Sequence, residues 1–338
     1  MNTRYHIPPL PAFYGNPAEE VAACRERCAL FDFSFVQQAS VCGPQAADFV
    51  EQFANRTVDD MTPGKIRYAL RLREDGTVLS DLTVWKMSDE HFKVMSGHPP
   101  DIQDLCSECG PRVHVCAQDT AIFAVQGPMA LEELRPLCAD HERLGALGYF
   151  EHGTFIVGET QCLVGRLGYS GEAGFELICA RSEADALWTL LNTTCPAAGF
   201  IAADILRIEA GLPLFWNDFA LAVTPGELGL AHFCTTPSSP CARSVKRICF
   251  SALSKERPEL WRAPTPPRRP TRVGEVAVTS ACYSVRMGRV IGLGYVATET
   301  NLTHAPLFDQ SGVFNEVRAQ SLPIYDTQKV RPRANWPC

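Results

Sequence analysis

Residues 65–97, KIRYALRLREDGTVLSDLTVWKMSDEHFKVMSG, constrain the fold more than any other stretch of this chain. Apolar and polar side chains alternate on either side of Glu74-Asp75-Gly76, and again after Ser88-Asp89. Period-two alternation broken by turn residues reads as a three-stranded antiparallel meander. A meander of this kind has an apolar face that must be covered. Residues 41–56, VCGPQAADFVEQFANR, read as a helix, with Phe49, Val50 and Phe53 forming an apolar stripe. DTAIFAVQ (119–126) reads as a further strand, GPMALEELRPL starts a helix, and SEADALWTLLN (182–192) is an amphipathic helix with a Ser/Asp start. Helices and antiparallel strands alternating in small units predict α+β architecture rather than a doubly wound parallel sheet.

At 338 residues the chain exceeds one comfortable core, which predicts two or three domains. In NPAEEVAACRERC, Asn16 is a candidate cap, Pro17 suits the first helical position and Glu19 is the expected capping partner. Val21, Cys24 and Cys28 share one face there and read as core. Beyond residue 233 the character changes. The run CTTPSSPCARSVKRICFSALSKERPELWRAPTPPRRPTRVGE has no sustained period and reads as a linker or a poorly ordered insertion. β-type alternation resumes in VGEVAVTSACYSVRMGRVIGLGYV and FNEVRAQSLPIYD, predicting a small all-β C-terminal domain.

A net charge of -7 argues against a broad nucleic-acid footprint, and no apolar run reaches the length of a membrane span. The opening MNTRYHIPPLPAFYGNP lacks the apolar core of a signal peptide, so a cytoplasmic protein with reduced cysteines is expected. Cys106 and Cys109 form a CxxC followed by His114 and Cys116. Without a second CxxC at finger spacing, buried thiols outweigh zinc, and no metal is expected.

Four strings carry the chemistry: SDLTVW (80–85), VQGP (125–128), GYSGEAGFE (168–176) and LRIEAGLPLFWNDF (206–219). In this order and spacing they resemble the aminomethyltransferase family, the T-protein of the glycine cleavage system. That family includes tetrahydrofolate-dependent demethylases and the folate domains of dimethylglycine and sarcosine dehydrogenases. The resemblance runs from LFDFSF (30–35) to about residue 233 and resumes at VGEV and IGLGYV. It implies two interleaved α+β lobes and a C-terminal β-barrel, a cloverleaf around a central folate channel. The expected divisions are 1–48 with 114–218 for the first lobe, 49–113 for the second, and 219–338 for the barrel with its atypical segment 234–272.

The implied activity is tetrahydrofolate-dependent one-carbon transfer from an amine donor, either a lipoyl-carrier protein or a small molecule. Alternatives are a demethylase of a small methylated compound and a non-catalytic folate-binding accessory protein. By the resemblance Asp81 is the catalytic acid beside the folate N5 and N10. Glu172 would accept the paired N–H donors of the pterin's pyrimidine edge, a bidentate geometry that suits a carboxylate. Read locally, Glu172 is a residue exposed at a hairpin turn and Asp81 a solvated or turn-capping one. Glycines 168, 171 and 174 would let the pterin approach, with Tyr169 as a stacking face. Tyr68 matches a channel tyrosine, or is a plain cross-strand aromatic. Arg207 matches a ligand-side or Glu172-orienting arginine, against an ion pair with Asp204 or Glu209.

Overall fold

The structure, a computed structural model, describes residues 10–235, 244–254, 260–262 and 267–336. After helix α1 (Pro17–Glu26) the chain forms strand β1 (Ala29–Asp32) and leaves that sheet for another. The second sheet and its helices follow: β2 (Gln37–Cys42), α2 (Ala46–Ala54), β3 (Ile66–Leu72), β4 (Val78–Ser88), β5 (His91–Ser96), α3 (Pro99–Ser107) and β6 (His114–Gln118). The chain then returns to the first lobe through β7 (Thr120–Gln126), α4 (Ala130–Leu134), α5 (His141–Ala146), β8 (His152–Val157), β9 (Thr160–Gly165), β10 (Gly174–Ala180) and α6 (Ala184–Leu191). Helices α7 (Phe200–Glu209) and α8 (Phe215–Asp218) lead to the third sheet. Its strands are β11 (Val245–Leu253), β12 (Trp261–Arg262), β13 (Glu275–Ser284), β14 (Arg289–Ala297), β15 (Phe308–Asp309) and β16 (Asn315–Gln320).

The strand orders are β1-β7-β10-β9-β8 and β3-β4-β5-β2-β6, each antiparallel throughout. The third sheet runs β12-β13-β14-β11-β16, and β15 closes it by pairing with β13 on one side while Leu307 bridges Val317 on the other. This is the α+β architecture with a C-terminal barrel that the sequence predicted. Strand pairing draws one division differently. Gln37–Cys42 and His114–Gln118 belong to the second sheet, outside the expected 49–113 span.

Three local expectations change. The helix expected from residue 41 begins at Ala46, because Val41 and Cys42 finish β2 against Phe92 and His91. Asn16 caps α1 by accepting from the Ala18 amide, but Glu20, not Glu19, completes the cap by accepting the amides of Tyr14, Gly15 and Gly199. Inside the Cys/Pro/Arg-rich run, VKRICFSAL forms strand β11 between β14 and β16. Ile248 to Ala252 are all buried, so both faces are covered and no polar alternation marks the strand. The rest of that run, at 236–243, 255–259 and 263–266, lies outside the described residues.

The lobes share one interior. Ile122, Ala124 and Ile178 from the first sheet pack with Ile66, Trp85 and Met95 from the second and with Cys282 and Ile291 from the third. The opposite face of each α+β sheet has its own core, one under α4 to α6 and one under α2 and α3.

Candidate functional site

Strand alternation places Asp81, Thr83 and Trp85 on the face of β4 that meets this interior. The Trp85 indole donates to Thr83 Oγ1 at 3.0 Å, as same-face neighbours can. Tyr68 lies opposite Thr83, and its hydroxyl reaches diagonally to donate to Asp81 Oδ2 at 3.0 Å. Burial pushes the Asp81 carboxyl up to about 6; the Tyr68 hydrogen bond pulls the other way, while Asp101 and Asp218 add like charge. Asp81 nevertheless remains half-buried rather than sealed. Tyr68 also sets its ring edge-on to Phe233, with centroids 5.0 Å apart, and its hydroxyl is raised by burial and by the Asp81 charge. Tyr169 belongs to the same group: its hydroxyl, raised chiefly by burial, also feels the Asp81 charge. It donates to the Pro213 carbonyl, which fixes the ring. Asp81, Tyr68 and Tyr169 thus come together.

Glu172 does not join them as a free acceptor. Its Oε1 accepts from Arg25 Nη1 at 2.9 Å and the Tyr325 hydroxyl at 2.7 Å, and its Oε2 accepts from Arg331 Nε at 2.6 Å. The side chain is 1% exposed. Arg25 in turn binds Glu209 and stacks over Tyr325 at 3.8 Å, so the cluster ties α1, α7 and the C-terminal segment to the loop before β10. Little acceptor capacity is left for a ligand.

Arg207 is likewise consumed. It is fully buried, with Nε on Asp204 and Nη1 on Asp218, while Nη2 donates to Ser280 Oγ. The ion pair with Asp204 exists, but within a sealed joint between the helices and the barrel. Glu172 is oriented by Arg25 and Arg331, not by Arg207.

The glycines also have protein partners. A Cβ on Gly168 or Gly174 would fall within 2.5 Å of the Gln126 side chain, and one on Gly171, at φ +79°, would strike Ala210. Gln126 threads between the glycines, donating to the Leu167 carbonyl and accepting from Ser170 Oγ. The GYSGEAG and VQGP strings are therefore complementary halves of one packing joint.

A carboxylate missing from the sequence reading faces the shared interior instead. Glu176 stands on β10 opposite Ala124 and Gly165, on the same face as Ile178 and so towards the shared interior. A Cβ added at Gly165, which pairs with Glu176, would strike the Trp85 ring, so Trp85 neighbours Glu176. Glu176 is half-buried, and burial alone pushes it up to about 7. Its oxygens are not among the buried unpartnered atoms, so they retain open surface. The signal was present in GFELICA, where Phe175 and Leu177 alternate towards the lobe core and Glu176 alone breaks the other face. For Arg25 no local signal exists, since its partners lie 145 to 184 residues away.

No three His, Cys, Asp or Glu side chains among the described residues gather as a metal site. The Cys109 thiol donates to the Cys106 carbonyl. Likewise, no helix there is long and apolar enough to cross a membrane.

An interleaved pair of α+β lobes closed by a barrel, with an acidic group facing the shared interior, defines the class. The GCVT N-terminal domain family matches residues 9–237. An aminomethyltransferase of Streptomyces coelicolor is 31% identical over 95% of this chain and 92% of its own length. One from Corynebacterium aurimucosum is 34% identical over 66% of this chain and 64% of its own. The glycine cleavage system aminomethyltransferase T from Bartonella henselae superposes with a TM-score of 0.75 at 21% identity, covering 94% of this chain and 92% of that one, which fixes the fold. The chain belongs to the aminomethyltransferase family, whose members are tetrahydrofolate-dependent transferases.

Proposed function

We propose that this chain moves a one-carbon unit from an amine donor to tetrahydrofolate, with a lipoyl-carrier protein bearing the donor. The observation that carries the reading is the pair of half-buried carboxylates, Asp81 and Glu176, that face one interior with proton affinities raised by burial. The residues fit the cofactor. The open Glu176 oxygens suit two parallel N–H donors of an aminopyrimidine edge, taking the part the resemblance gave to Glu172. Tyr169, half-buried near Asp81, supplies aromatic surface.

Bound tetrahydrofolate supplies nucleophilic nitrogens for the incoming carbon. Everything else falls to the chain. Asp81, held near neutrality in its proton affinity, gives or takes a proton at Oδ1 while Oδ2 stays fixed by the Tyr68 hydroxyl. As an anion it offsets positive charge that develops at the reacting nitrogen. Tyr68 itself stays protonated, because burial and Asp81 both oppose its ionisation. A cytoplasmic setting accords with this chemistry.

The test is formation of 5,10-methylenetetrahydrofolate from an aminomethylated lipoyl carrier. Carrier-dependent product supports the proposal. Turnover of a small methylated amine with no carrier reaction replaces the donor, and absence of both, with no heat on titrating tetrahydrofolate, refutes the enzyme reading.

A further inference from the structure

A second cleft lies further along the same face of the second sheet, beyond Trp85 from Asp81. It has a volume of about 440 Å³ and opens where the ends of β5 and β6 face β9 and β10, lined by Lys93, Gln118, Thr120, Leu163, Ile178 and Cys179 among others. Lys93 stands opposite Trp85 in the β4–β5 register, so the fully buried indole and about 13 Å of strand separate it from Asp81.

The chemistry of this cleft is not explained by packing. Lys93 Nζ donates to Gln118 Oε1 at 2.7 Å and to Gln38 Oε1 at 3.2 Å. Both are neutral amides, and no ion pair to Lys93 exists among the described residues. Gln38 is 1% exposed and its amide is fixed on Thr120 Oγ1, so the strands themselves hold the ammonium in place. Asp119, at the rim, is exposed and turned to Arg181. Burial lowers the proton affinity of Lys93, as for a cation that lacks its counter-charge. Beside it, Leu163 and Ile178 give an apolar floor.

We propose that this cleft binds a small carboxylate, its charge on Lys93 and a short apolar body on Leu163 and Ile178. An ammonium with one donor to spare, a nearby hydroxyl and an apolar floor match that ligand better than a bare inorganic anion. A multiply charged oxyanion would want several cations or a fork of guanidinium donors. The site needs no folate, so it stands or falls apart from the transferase reading.

The test is methyl NMR of the full chain titrated with acetate, butyrate and inorganic phosphate, without folate. The Ile178 and Leu163 methyl signals shift saturably with butyrate, and each added methylene tightens binding about threefold. Lys93→Met weakens butyrate at least about tenfold, while Lys93→Arg keeps it within about threefold. The thermal unfolding midpoint of Lys93→Met stays at or above the wild-type value, which shows that the variant folds. Shifts that fail to saturate, or that survive in Lys93→Met, overturn the proposal, as does phosphate binding more tightly than butyrate.

Discussion

Glu172 and Glu176 lie four residues apart and meet opposite fates. Glu172 is sealed, with two arginines and a tyrosine filling its oxygens. Glu176 is half-open, and burial alone raises its proton affinity. The same contrast separates Arg207, spent on Asp204 and Asp218, from Asp81, which keeps one oxygen beyond its Tyr68 bond. Satisfied buried charge builds the frame here, and unsatisfied half-buried charge marks where a ligand completes the coordination. A carboxylate that burial alone has pushed upward is unstable without a partner, and the fold tolerates that cost where chemistry needs it.

Breaking the sealed side gives the largest effect. Glu172→Ala leaves buried Arg25 with Glu209 as its one carboxylate partner and takes the carboxylate from Arg331 and Tyr325, so stability falls by about 3–5 kcal/mol in denaturant unfolding. A loss under about 1 kcal/mol would erase the distinction between the two glutamates. Next comes the open side. Asp81→Asn lowers turnover by about 10²-fold or more in a steady-state assay while tetrahydrofolate still binds. Wild-type turnover would remove Asp81 from the chemistry.

The same substitution sharpens the contrast through stability. The Asp81 carboxyl is raised from 3.8 to about 6 in the folded chain, so ionising it destabilises the fold. That penalty is absent below pH 4, grows as pH rises through 4 to 6, and is complete above 6. Asp81→Asn therefore unfolds with a gain of about 1–2 kcal/mol at pH 7.5, after allowance for partial exposure, and with no gain near pH 4. A smaller effect concerns binding. Glu176, raised to about 7, must be ionised to accept two N–H donors. Tetrahydrofolate affinity then declines by up to about tenfold per unit as pH falls below 7, and calorimetry from pH 6 to 8 detects it. A flat profile would place a neutral or already ionised group at the pyrimidine.

Much of the fold was legible because it is locally encoded. The meander at 65–97 and the Asn16-Pro17 helix start depend on neighbours in sequence, and both stand where expected. β11 escaped because a strand covered on both faces shows no alternation. Within the site, Asp81 and Tyr68 each came from the resemblance, and their contact follows from the pairing of β3 with β4. The sealing of Glu172 was not legible for a physical reason: its partners Arg25, Tyr325 and Arg331 are 147, 153 and 159 residues away. Nothing in GYSGEAG announces them. The glycines drew attention to Glu172, yet they serve Gln126 and Ala210.

The central claim is that Glu176, rather than its sealed neighbour, grips the reduced pterin. Calorimetric titration of tetrahydrofolate into Glu176→Gln and wild-type protein tests it most directly. The account predicts affinity about 10- to 100-fold weaker, near 2 kcal/mol, with thermal unfolding unchanged or raised. Wild-type affinity in Glu176→Gln would contradict it.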